Sequence, residues 1–297
     1  MPPLPETVGD LATGVLQAQT ATFLAHCPGA RAGRDPRDVH QMRVAARRMR
    51  AALRLFADVL PPTEAEHVDA ELKWVAGQLG HVRDLDVQLR RLAASASNLQ
   101  LGGALEPYVA WLQDQRRQAQ QALASDLISA RFMALLEALH QVGHWPTTLD
   151  ADTPVMTDAP RRLDRVFKVF SKRARRLRKK SPLADFHRVR IRAKRLRYAV
   201  EFFEPFYGKP ATKFITRLTQ LQDILGELQD GVVAAEHIQR AVEGAAHEWP
   251  TETAVALGQL LHYDAQRARA LKRRFQKRYE EVAGKAWRRL ESNVVIS

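Results

Sequence analysis

Apolar residues recur at three- and four-residue steps along most of the chain, without the sustained alternation of a half-buried strand. The first periodic segment runs from about Val8 to Cys27, and Pro28, Gly29, Gly33 and Pro36 then break it. A second helix is expected from about Asp38 to Pro61 and Pro62. Proline cannot continue the helical ladder and biases the residue before it away from helix. Between Glu64 and about Leu92, the residues Leu72, Val75, Leu79, Val82, Val87 and Leu89 are spaced for one helical face. Leu105 to Leu123 and Arg131 to Val142 predict a fourth and a short fifth helix, and Gly143 to Pro160, with three prolines, reads as a linker. Beyond it, helices are predicted over Arg161–Lys180, from Ser181-Pro182 through His187 to about Phe203 or Phe206, over Thr212–Ala245, over Thr251–Val282, and in a short end from Lys285.

The second set of elements repeats the first. HQMRVAARRMR, from His40 to Arg50, and HRVRIRAKRLR, from His187 to Arg197, share the form H-x-x-R-x-x-x-[RK]-R-x-R and stand 147 residues apart. Phe23 and Phe170 each precede their histidine by 17 residues. Leu79-Gly80-His81-Val82-Arg83-Asp84 recurs as Leu225-Gly226-Glu227-Leu228-Gln229-Asp230 after 146 residues. Such a unit is far longer than a tetratricopeptide or HEAT repeat. It predicts two similar helical bundles in a pseudo-twofold relation, residues 8–143 and 161–290, joined by a linker at 144–160.

On a helix turning about 100° per residue, Arg43, Arg47, Arg50 and Arg54 form one stripe with His40 at its edge. Val44, Met49, Ala52, Leu53, Leu55, Phe56 and Val59 cover the opposite face. In the second copy Arg190, Lys194 and Arg197 form the stripe, with His187 at its edge, and Ile191, Leu196, Val200, Phe203 and Phe206 supply the core side. Arg48 and Arg195 are equivalent and lie off the stripe, placed to pack their stems and pair with an acid. Like charges stacked at helical spacing oppose the helix, and only Glu201, four residues after Arg197, offsets them in part. A multivalent anion would relieve such a row, and the arginine fork meets phosphate oxygens in pairs. The histidines read as donors to phosphate or to a backbone carbonyl, or as groups that become cationic beside an anion. No neighbouring ligand set supports a metal role for them.

The formal charge of +13 argues for an anionic partner without choosing among DNA, RNA, an acidic membrane, a nucleotide and an inorganic polyanion. It is also local. From Arg161 to Arg197 there are 17 Lys and Arg residues against two acids. Arg165, Lys168, Lys172, Arg176 and Lys179 lie opposite a narrow apolar stripe in that stretch, so any ligand channel is expected to lean toward the second half. A further basic stretch in the late helix contains Arg273, with Arg116 and Arg117 as its nearest first-half counterparts. Arg83 stands beside Asp84 and Asp86. Asp84 and Asp230 are equivalent, and they read as acceptors that hold the arginine rows in place, with a two-carboxylate metal or hydrolase site as the lesser alternative. Cys27 is alone, which excludes a disulfide framework within the chain. No secretory leader and no apolar run long enough to span a bilayer occurs, which reads as a cytoplasmic protein. Phosphate-loop, dinucleotide-binding, zincin, nucleophile-elbow and zinc-finger patterns are all missing, and no aromatic–basic alternation marks a base-stacking platform. No catalytic, metal or cofactor site is predicted.

These residues closely resemble the CHAD family, the conserved histidine alpha-helical domains. The resemblance rests on His40, Arg43, Arg47, Arg48 and Arg50, on Gly80, Arg83, Asp84 and Asp86, and on His187, Arg190, Lys194, Arg195, Arg197 and Tyr198 followed by Leu221 to Asp230. It implies an all-α fold of two four-helix halves around a basic central groove or pore, spanning residues 8–290, that binds inorganic polyphosphate and associates with polyphosphate granules. Many members carry a CYTH, or triphosphate-tunnel, enzyme domain ahead of this one. Here the first helix begins by about residue 8, so a stand-alone, non-catalytic binder is expected. Gln229 replaces the equivalent of Arg83 and Val232 that of Asp86, so the second copy is expected to be weaker or differently braced. The expected partner is inorganic polyphosphate or a similar polyanion. A nucleic acid held by its phosphates and a polyphosphate or organic phosphate hydrolase are the alternatives. The oligomeric state stays open.

Overall fold

The computed structural model describes residues 3–146, 148–245 and 249–292; Thr147, inside the expected linker, lies outside them. Ten α-helices are assigned among the described residues, with no strand beyond one isolated bridge between Thr7 and Pro154. The fold is all-α.

Helix α1 spans Val8–Ala32, opened by Thr7, whose hydroxyl oxygen accepts from the Asp10 amide at 3.2 Å. It runs through Pro28 instead of breaking there. The break comes at Gly33, whose φ of +65° closes the helix while its amide donates to the Gly29 carbonyl. Proline removes one rung near the end of α1, and packing on the next helix holds the last turn. A side chain at Gly29 would collide with the Asp38 carboxylate, which pairs with His26 at 2.8 Å. Helix α2, Pro36–Leu55, is capped by Asp35 with proline in its first turn. It ends before the expected proline stop. The Leu55 carbonyl, released from the ladder, accepts from Arg162 at 2.6 Å.

Helix α3 is long, Pro62–Leu99, and α4 (Glu106–Asp126) and α5 (Ala130–His140) follow. Short 3-10 turns at 141–144 and 149–152 lead into α6, Val155–Ala174. The last six residues of the expected linker are therefore helical, with Pro160 inside α6. At its other end α6 stops short of the predicted Lys180, where six consecutive positions offer five cations and no acid to relieve them. Helix α7 is Leu183–Tyr207, α8 Lys209–Ala245 and α9 Thr251–Glu281; a π-helical turn at Val282–Ala286 leads into α10, Trp287–Glu291.

Helices α1, α2 and α3 pack in sequence, as do α6, α7, α8 and α9. Between the two sets, α2 meets α7, α3 meets α8, α4 meets α9 and α1 meets α6. These are the pairs that the 147-residue offset makes equivalent. The main core is continuous from Val8 to Leu290, and Phe56 of α2 packs against Phe202 and Phe203 of α7 with ring centroids 6.3 and 6.0 Å apart. A second apolar cluster joins the far ends of α3 and α8, where Leu85, Leu92 and Leu112 meet Ile238, Leu257 and Leu260. Ile191, expected on the core side of α7, is 37% exposed, because it lies about 140° round the helix from Leu196.

One charged side chain belongs to the core. Arg162 is 1% exposed and pairs with the equally buried Asp158. Its Nη1 also donates to Asp58 Oδ1 at 2.6 Å, and its guanidinium lies over the Phe56 ring. It pins the start of α6 to the end of α2.

Candidate anion-binding site

The crossing of α2 and α7 brings the two basic stripes together. Arg43 and Arg47 of the first copy and Arg190 and Lys194 of the second act on one another as like charges. The ammonium of Lys194 suffers most. Burial first, then Arg190, Arg47, Arg43 and Arg197, push its pKa down to about 6. Burial and then Arg47 push Arg43 down to about 10, and Arg190 is lowered for the same two reasons.

Acids brace this cluster but do not neutralise it. Asp84 of α3 stands 3.4 Å from Arg43. Asp230 of α8 faces Arg190 and Arg91, yet burial holds its carboxyl above the usual range. The Nε atoms of Arg43 and Arg190, equivalent in the repeat, are both buried without a hydrogen-bond partner among the described residues. Gly80 lies directly under Arg43, where an added Cβ would meet the guanidinium at 3.5 Å.

His40 is lowered by burial and by Arg83, Arg43, Arg90 and Lys194, so its ring is held neutral in the empty protein. His187 Nδ1–H donates to Gln229 Oε1, and Gln229 occupies the place that Arg83 holds in the first copy. Arg83 itself faces Arg90 and the carboxylates of Asp86, Asp84 and Asp230. Arg116 Nε donates to Asp86 Oδ1 at 3.1 Å, and Arg90 Nε to the Asp86 carbonyl at 3.3 Å. Arg90 escaped the sequence reading; it lies two turns beyond Arg83, and that spacing was its signal.

The other predicted residues fall elsewhere. Arg48 pairs with Glu201 across the halves and lies over Tyr198 and Phe202. Arg197 reaches Glu201 at 3.4 Å and covers Tyr198 from its own side. Tyr198 is thus a buried platform under two guanidinium groups. Arg50 and Arg54 share Asp69 at 2.8 and 2.9 Å, and Arg54, Arg165 and Arg195 line a separate groove. Lys168 pairs with Asp164 at 2.6 Å. Lys172, Arg176, Lys179 and Arg273 are exposed, and no hydrogen bond or ion pair among the described residues joins them to the cluster. The expected lean toward the second half therefore does not appear in the cluster, which draws its four central cations equally from both. The apolar stripe of α6 is buried, which turns its basic face to solvent.

An all-helical protein with a half-buried cationic cluster shared by two copies of one motif is what fold and site define together. The chain belongs to the CHAD domain family, which matches residues 14–239. It is 33% identical over 222 residues to the uncharacterized proteins MT2285 and Rv2226 of two Mycobacterium tuberculosis strains, covering 69% of this chain and 40% of each relative. The chain thus spans well under half the length of these curated relatives. Among solved structures, the CHAD domain from the plant Ricinus communis is 27% identical with a TM-score of 0.76, over 93% of this chain and 92% of that one. PptA from Streptomyces chartreusis shares the fold at 23% identity and a TM-score of 0.73, over 93% of this chain and all of that one.

Proposed function

We propose that this protein binds inorganic polyphosphate, without chemical change, at the cluster of Arg43, Arg47, Arg190 and Lys194, and that it associates with polyphosphate granules through that binding. The observation that carries this reading is the convergence of four cations from both repeat copies at a place where the nearby acids leave them uncompensated. A chain of phosphates would supply negative charge at close, regular spacing to all four. Nothing at the cluster is suited to reading a base. Its polar groups are cations, histidines and bracing carboxylates, and contacts of cations and histidines to phosphate carry no sequence preference. Among the described residues no group of His, Cys, Asp and Glu is arranged to hold a metal ion, and no helix is long and apolar enough to cross a membrane.

The test is competition. Labelled polyphosphate should resist displacement by duplex DNA at equal phosphate concentration, and preference for DNA overturns the reading. Release of phosphate from polyphosphate by the pure protein with magnesium would replace binding with hydrolysis.

Binding should also take up protons. Lys194, at about 6, is largely neutral near pH 7.5, and a bound anion raises its pKa and recharges it. Affinity should therefore fall as pH rises from 6 toward 9, by up to about tenfold per unit for one proton. Calorimetry in buffers of different ionisation enthalpy should show uptake approaching one proton, reduced in Lys194→Met. The empty protein has the matching stability trend. Between about 6 and 10.5 the unfolded lysine binds a proton that the folded one does not. This group therefore destabilises the fold fully below pH 6, and its penalty fades as pH rises to 10.5.

A further inference from the structure

The two halves differ at one pair of equivalent positions, and the difference exposes a second site. Arg48 and Glu201 meet as an ion pair between α2 and α7. Their counterparts at the 147-residue offset are Arg195 and Arg54. These also lie together, lining one groove, but both are cations. Where one copy of the contact pairs a cation with an acid, the other sets two cations side by side. Arg192 and Arg165 complete the rim. Arg192 Nε is buried without a hydrogen-bond partner among the described residues. Asp69, the acid within reach, is already shared by Arg50 and Arg54, and Asp58 is engaged by Arg162. The floor is apolar. Val166 and the half-exposed Val169 of α6 form it, with Leu55 and Ala199 beneath.

We infer that this groove between α2, α6 and α7 is a binding site for a small organic phosphate with an apolar body, separate from the central cluster. Three features set the ligand class. Four arginines that converge with Asp69 as their nearest acid, itself shared with Arg50, call for an anion, and phosphate oxygens suit them. An exposed valine floor adds affinity only for a ligand with apolar surface to bury. The cavity, about 210 Å³, is smaller than the roughly 300–1,000 Å³ of common ligand pockets, so it fits one phosphate and a ring rather than a long chain. The inference does not depend on polyphosphate binding at the centre.

The probe is 1-naphthyl phosphate, whose fluorescence reports binding to the full chain. Saturable binding is expected, with inorganic phosphate and tripolyphosphate at least about tenfold weaker because they leave the floor uncovered. Arg195→Glu places a carboxylate among Arg54, Arg192 and Arg165. It should weaken the probe at least about tenfold while raising the melting temperature, because it restores the ion pair present in the other copy. Arg165→Glu, on the exposed face of α6, gives a second reading that does not disturb the helix contact, with a loss of about threefold or more. Replacing the four central cations should leave the probe bound. No saturable binding, equal affinity for inorganic phosphate, or full affinity in both glutamate variants would overturn the assignment.

Discussion

Glutamine at Arg43, Arg47, Arg190 and Lys194 together lowers the affinity for polyphosphate by at least about 100-fold. Each charge-assisted hydrogen bond contributes roughly 1.5–3 kcal/mol in protein settings, and even about 1 kcal/mol from each of four would exceed that loss. Arg83, Arg90 and Arg197 remain nearby and continue to attract the chain, so the loss stops short of abolition. The dependence on salt is the sharper readout. Fewer counterions are displaced by the variant, so a plot of log affinity against log salt flattens. The fold should tolerate the change, because the replacements remove the repulsion within the cluster and keep approximately the size of the side chains they replace. Arg273→Gln with Arg274→Gln is the comparison, two exposed cations on α9 outside the cluster. If that pair matches the loss at the four, diffuse surface charge does the binding and the cluster does not.

Replacing Arg162 with methionine is expected to be the most damaging single change to stability. The side chain fits the space, but the buried Asp158 keeps only the exposed Arg161 as its ionic partner, and the Leu55 carbonyl loses its donor. Breaking a buried ion pair on one side costs about 3–5 kcal/mol. Differential scanning calorimetry should show a melting temperature lower by roughly 10 °C, on a scale of about 2–4 °C per kcal/mol for chains of this order. Arg162→Met with Asp158→Leu removes the stranded charge and should recover part of the loss. A double variant no more stable than the single would place the cost in the lost packing over Phe56 instead.

The helices were legible because their apolar spacing is regular, and the repeat told which helices correspond. The errors share one cause. Pro28 and Pro160 both lie inside helices. A missing rung near a helix end is cheap when the same turn is packed, and sequence does not display that packing. Charge misled in the same way. The basic face of α6 turns its charge to solvent, whereas Arg43 and Arg190 sit where two helices cross. The stripe on α2 was real, but Asp69 draws Arg50 and Arg54 aside from it, and a periodic pattern carries no sign of an acid on another helix. Arg162 was hidden in plain view, since Arg161-Arg162 reads as more surface charge until the carboxylates around it are known.

The continuous core makes the duplicated segment a unit of sequence but not of cooperativity. Phe56 is covered by Phe202 and Phe203, the end of α2 is tied down by a residue of α6, and α3 and α8 are joined at their far ends. A fragment cut at the linker would expose each of these surfaces. The chain should therefore absorb heat in one transition, and its two fragments should gain stable structure only when mixed.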